Sequence, residues 1–150
     1  MNNKQLRQYV IRPVLMQLGM YSPEAENLIA GTIAQESAMG EYIHQINGPA
    51  LGICQVEPST HDDIWENFIA YRPELQDILF DITPITDSEE MIHNLNYAVA
   101  MCRIHYYRVP DAIPCDIVGQ AEYWKKWYNT EQGRGTTEEY IYSYARYAEN

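Results

Sequence analysis

The fold turns on IAGTIAQESAMGEY, residues 29–42. Ile29, Thr32 and Ile33 extend an inward face that Ala25 and Leu28 begin, and Glu36 follows Thr32 by four residues and Ile33 by three. On an α-helix those spacings put the Glu36 carboxyl on the apolar side. A carboxyl drawn partly out of water holds its proton more tightly, which moves its pKa upward into the range of a general acid. The structural alternative is a glutamate at the helix margin that reaches water or pairs with Arg103.

Ser22, Pro23 and Glu24 mark where this helix begins. Serine caps free amides, proline suits the first turn, and an acid suits the positive end of the helix dipole. The helix is expected over residues 23–39, after a first helix over 4–18 that is interrupted or kinked at Pro13. The turn residues INGP then break the periodicity, so 40–58 is read as an irregular loop or short ribbon. Further helices are expected over 59–70 and 73–80, and then a long central one over 88–109. Its apolar stripe runs through Met91, Leu95, Ala98, Cys102, His105 and Val109. Two last helices, 116–128 and 137–147, flank the turn NTEQGRGT. The reading is a mainly α single domain of six to seven helices with little or no β-structure.

Composition narrows what such a domain does. With 150 residues, the chain suits one domain and buries ~70% of the surface it would expose unfolded. Its 13 Tyr against 2 Phe suggest hydrogen-bonding aromatic surfaces as well as core packing. A net charge of −11 argues against nucleic acid or an anionic membrane as partner, since phosphate affinity rests on clustered Lys and Arg. Cys54, Cys102 and Cys115 show no C-x-x-C pairing, so neither a disulfide framework nor a zinc site is indicated, and synthesis in a reducing cytosol is expected. Neither a secretion signal nor a membrane-spanning stretch is read in the sequence. His61 beside Asp62 and Asp63 is read as the solvated first turn of a helix rather than a metal site, because adjacent residues do not share a helix face.

Downstream of Glu36-Ser37 comes ALGICQVEPST, residues 50–60. Small Ala50 and Gly52 permit close backbone approach, Gln55 offers an amide, and Pro58-Ser59-Thr60 launches a helix. The ordered series Glu36-Ser37, Gly52-Ile53-Cys54-Gln55, Pro58-Ser59-Thr60 resembles the soluble lytic transglycosylase domain family, a lysozyme-like group. The likeness extends loosely over most of the chain. Asn94 or Asn96 matches an asparagine that opens a long helix, Tyr128-Asn129 matches a Tyr-Asn pair, and Tyr140 matches an aromatic of the closing helix. WYNTEQG departs from the family's Ala-Tyr-Asn-Ala-Gly. The whole looks like small phage-encoded proteins of this type.

That resemblance implies a lysozyme-like fold and cleavage of the MurNAc-GlcNAc β-1,4 bond of peptidoglycan glycan strands by a single acid/base, Glu36. Ser37, Gln55, Tyr128, Asn129 and Tyr140 would bind the glycan, and no cofactor or metal is implied. The enzyme would meet the wall through a membrane lesion or as part of an infecting particle, with other virion proteins as possible partners. A lysozyme-type hydrolase would need a second carboxylate, for which Asp62, Asp63, Glu57 and Glu41 are candidates. An inactive virion structural or glycan-binding module, and a helical regulatory adaptor, are the rivals from other classes. The adaptor leaves the motif series to chance.

Overall fold

The structure, a computed structural model, describes residues 1–149. Among these, eight helices and no sheet are formed, in agreement with the mainly α expectation. Helix α1 spans residues 3–17 and changes winding midway, with a π-helical stretch Arg7–Ile11 between Asn3–Leu6 and Arg12–Gln17. Pro13 explains the change: it lacks an N–H, and its ring crowds the carbonyl four residues back. The turn widens just before it, and the Arg12 N–H reaches the Arg7 carbonyl. The expected interruption takes this form.

Helix α2, Pro23–Ser37, starts where the sequence signals it. Ser22 is extended, and its hydroxyl accepts the Ala25 N–H at 3.0 Å. Glu26 in the first turn is buried and satisfied by Arg12 at 2.7 Å and Arg7 at 3.4 Å. The helix stops two residues before the expected Met39. Ala38 and Met39 adopt left-handed φ of 50° and 60°, and the Met39 N–H turns back to the Ile33 carbonyl. Left-handed backbone costs a non-glycine residue roughly 1–2 kcal/mol, so the surrounding packing holds this turn.

The loop after α2 is irregular, with two isolated antiparallel bridges, His44 to Leu51 and Leu51 to Val56. Gly52, with φ of 77°, passes so close to the chain that an added Cβ would lie 2.3 Å from the Met91 carbonyl oxygen. Helix α3 is Pro58–Asn67, and a tight turn at Ile69–Tyr71 leads to α4, Pro73–Ile82.

The single helix expected over 88–109 is two helices, α5 (Glu90–His93) and α6 (Leu95–Tyr107). Asn94 divides them. Its backbone is extended, its side-chain oxygen accepts the Tyr97 N–H at 3.0 Å, and its amide donates to the Ile82 carbonyl at 3.1 Å. The Asn cap outcompetes helix continuation because it satisfies both the new helix start and the end of α4. The break shifts the phase of the apolar stripe, which leaves Leu95 exposed instead of inward. Every residue from 97 to 104 is buried, so α6 is a central helix hidden on nearly all sides. Helix α7 runs over 117–129 and α8 over 137–148, each finishing in a π-helical turn. Leu28, Ile29 and Ile33 of α2, Leu15 of α1, Val99 and Ile104 of α6 and Trp124 of α7 join one apolar cluster. Burial of each such aliphatic side chain contributes about 1.5–3 kcal/mol.

Among the described residues no helix is long and apolar enough to cross a membrane.

Candidate functional site

The last turn of α2 carries Glu36 to the wall of a cleft of about 500 Å³. The loop after α2 contributes Gln45, Ala50, Gln55 and Glu57 to it, and the end of α7 with the following turn contributes Trp124, Tyr128, Asn129 and Arg134. The indole N–H of Trp124 donates to a Glu36 carboxyl oxygen at 3.0 Å. Removal of water pushes the Glu36 pKa from its ordinary 4.5 up to about 7, against the pull of the indole bond, which favours the charged form. Near neutral pH the group therefore exchanges a proton readily in either direction. The alternative pairing with Arg103 does not form, since the Arg103 Nε–H donates to the Met20 carbonyl at 2.9 Å.

Gln55, Tyr128 and Asn129 line the same cleft. Gln55 sits in the left-handed region at φ 52°, and its side-chain amide donates to the Gly52 carbonyl at 2.8 Å, bracing the turn it belongs to. The Tyr128 hydroxyl donates to the Cys54 carbonyl, which ties α7 to that turn. Its ring stacks on Tyr106 at 5.1 Å and meets the edge of His105 at 5.2 Å. Asn129 accepts from Lys125 Nζ at 2.7 Å, and the same ammonium donates to the Gly133 carbonyl at 2.9 Å, which shapes the turn over the cleft.

Ser37 and Tyr140, expected as glycan contacts, do not line the cleft and are fully buried. Ser37 donates to the Ile33 carbonyl at 3.0 Å and accepts the Gly40 N–H at 2.8 Å, so its hydroxyl is consumed in closing the left-handed turn behind Glu36. The Tyr140 hydroxyl donates to the Leu28 carbonyl at 3.2 Å, and its ring lies 5.3 Å from that of Trp124. It supports the indole that holds Glu36. Of the two asparagines that could open the central helix, Asn94 does so.

The candidate second carboxylates separate in space. Asp63 pairs with Arg108 at 2.9 Å on α3, Asp62 bonds to His61 at 2.9 Å, and neither they nor Glu41 line the cleft. Glu57 does, as does Glu139. The second nitrogen of His61 bonds to the Tyr97 hydroxyl at 2.7 Å, and among the described residues no group of three or more His, Cys, Asp or Glu is placed to hold a metal ion.

Trp124, Gln35, Gln45, Arg134 and Glu139 are cleft residues that the motif series does not contain. A signal for Trp124 exists: it precedes Tyr128 by four on one helix, so the two share a face. Of the others, Gln35 neighbours Glu36 on α2, Gln45 comes from the loop after α2, Arg134 from the turn after α7 and Glu139 from α8, and no spacing in the sequence singles them out.

The chain matches no protein-family model, no curated protein and no solved structure.

Proposed function

We propose that this protein is a peptidoglycan-cleaving enzyme of lysozyme-like fold, a lytic transglycosylase with Glu36 as its only acid/base. The observation that carries this reading is the desolvated Glu36 carboxyl, with a pKa raised to about 7, facing a polar-walled cleft beside a single indole donor. Glu36 protonates the oxygen between MurNAc and GlcNAc, and the bond from that oxygen to C1 of MurNAc breaks. The N-acetyl carbonyl of the same sugar stabilises the positive centre. Glu36, now a carboxylate, takes the proton of the 6-hydroxyl as that oxygen closes on C1, which leaves a 1,6-anhydro end and returns the acid. Trp124 serves the second half of the cycle, because its N–H stabilises the carboxylate. Gln55, Tyr128 and Asn129 are the glycan contacts in this reading, with Ser37 and Tyr140 supporting the acid from behind.

A lysozyme-type hydrolase is the second reading, favoured by the presence of Glu57 and Glu139 on the same cleft, since either would give water a base. Mass spectrometry of muropeptides released from purified peptidoglycan separates the two. Anhydro ends are expected, and reducing ends would establish hydrolysis. Glu36→Gln is expected to lower turnover by at least ~100-fold, the usual scale for losing a general acid, with the fold retained. If the unaltered protein binds glycan strands and releases nothing, the enzymatic reading falls and a binding module stands.

A further inference from the structure

Away from the Glu36 cleft, Arg103 of α6 lines a second pocket of about 340 Å³. The residue is only 8% exposed. Its Nε–H is used by the Met20 carbonyl, and its guanidinium carbon stands 5.5 Å from the centre of the Tyr107 ring. Among the described residues, neither terminal nitrogen has a hydrogen-bond partner, and no carboxylate lies within ion-pair distance. Arg7, Arg12 and Arg108, by contrast, all rest on carboxylates. The two terminal nitrogens are open to the pocket's solvent, and burial of the rest of the side chain holds the Arg103 pKa below its ordinary value.

We propose that this pocket binds a small monocarboxylate, with the carboxylate seated on the open fork of Arg103 and an apolar or aromatic body against Tyr123 and Ile113. Two planar N–H groups side by side match the two oxygens of a carboxylate. Ser22, whose hydroxyl hydrogen is not used in capping α2, lies on the same wall. Charge selects within the oxyanions. Glu24 and Asp111 also line the pocket, so its lining carries one net negative charge before a ligand arrives, within a chain of −11 overall, and this opposes a phosphate dianion more strongly than a single carboxylate. Val109, Ile113 and Tyr123 offer the ligand's body an apolar wall. No residue lines both pockets, although Tyr106 stands between them, 5.8 Å from Tyr123 on one side and 5.1 Å from Tyr128 on the other.

The test is an NMR titration of the intact protein with benzoate and, separately, with inorganic phosphate. Benzoate is expected to give saturable shifts at the Arg103 Nε–H and at Tyr123 and Ile113, with phosphate at least ~10-fold weaker. Arg103→Gln should weaken benzoate by at least ~10-fold, and Ile113→Trp, which fills the pocket and leaves the guanidinium in place, should do the same. If Arg103→Gln does not fold, Ile113→Trp decides. Absence of saturable shifts at these residues, undiminished binding in the filled pocket, or phosphate binding as tight as benzoate would each overturn the proposal. None of these outcomes bears on Glu36 or glycan cleavage.

Discussion

At position 36 the folded chain surrounds a carboxyl with protein and returns to it one hydrogen bond, from Trp124. Desolvation outweighs that bond, which is why the pKa settles near 7 and not near 4.5. Trp124→Phe keeps most of the bulk and removes the donor, so the charged form of Glu36 loses its stabiliser. The Glu36 pKa is then expected to rise further, above about 7, as read by a carboxyl-carbon NMR titration. An unchanged or lower value would show that the indole does not govern this proton. Position 36 was legible from i, i+3 and i+4 spacing alone, because a helix fixes which neighbours share its face. The indole was not, because 88 residues separate it from the acid and only packing brings the two together.

Among the elements, the clearest signals were chemical punctuation. Ser22 with Pro23 starts α2, Pro58 starts α3 and Pro73 starts α4, each because of local backbone chemistry that no tertiary contact needs to assist. Periodicity hid the division at Asn94, which only the family resemblance had offered as a helix-opening asparagine beside Asn96: the apolar repeat continues across it, while the amide that makes the break favourable reaches the Ile82 carbonyl, twelve residues away. The α2–α8 contact was hidden too. Gly31 has no side chain where Tyr140 crosses α2: a Cβ there would lie 2.1 Å from the tyrosine oxygen and 2.6 Å from the ring carbon bearing it. Gly31→Ala gains helix propensity but forces Tyr140 off α2, and the net effect is expected to be a loss of roughly 1–3 kcal/mol in urea unfolding. Because Tyr140 backs Trp124, the same variant should also disturb the Glu36 titration. A variant as stable as the parent would mean that the two helices separate freely.

For the whole molecule, two buried titrations act in opposite senses. The folded state keeps the Glu36 proton up to about pH 7, whereas the unfolded chain releases it near 4.5. This contribution to stability is complete below the unfolded pKa and is lost as pH rises toward 7. His105, desolvated and beside Arg108, stays neutral down to about pH 4 against an ordinary 6.5, so its contribution is lost as pH falls from 6.5 toward 4. The two windows overlap, which flattens the profile between them. Glu36→Gln removes the Glu36 contribution only. It is expected to unfold at higher denaturant than the parent at pH 8 and to differ little at pH 4, with a difference at pH 8 on the order of 3 kcal/mol. Equal stability at both pH values would show that the carboxyl is hydrated in the folded chain.

By itself, the sequence determined the helical class, most helix starts and the position of the acid, because caps, prolines and helical spacing act over a few residues. Only the tertiary structure decided that Ser37 and Tyr140 stand behind the cleft while Trp124 enters it, and that Arg103 keeps an open fork in a pocket of its own. Those outcomes depend on which distant groups exclude water from a polar atom and which ones satisfy it, and that is settled only when the helices pack.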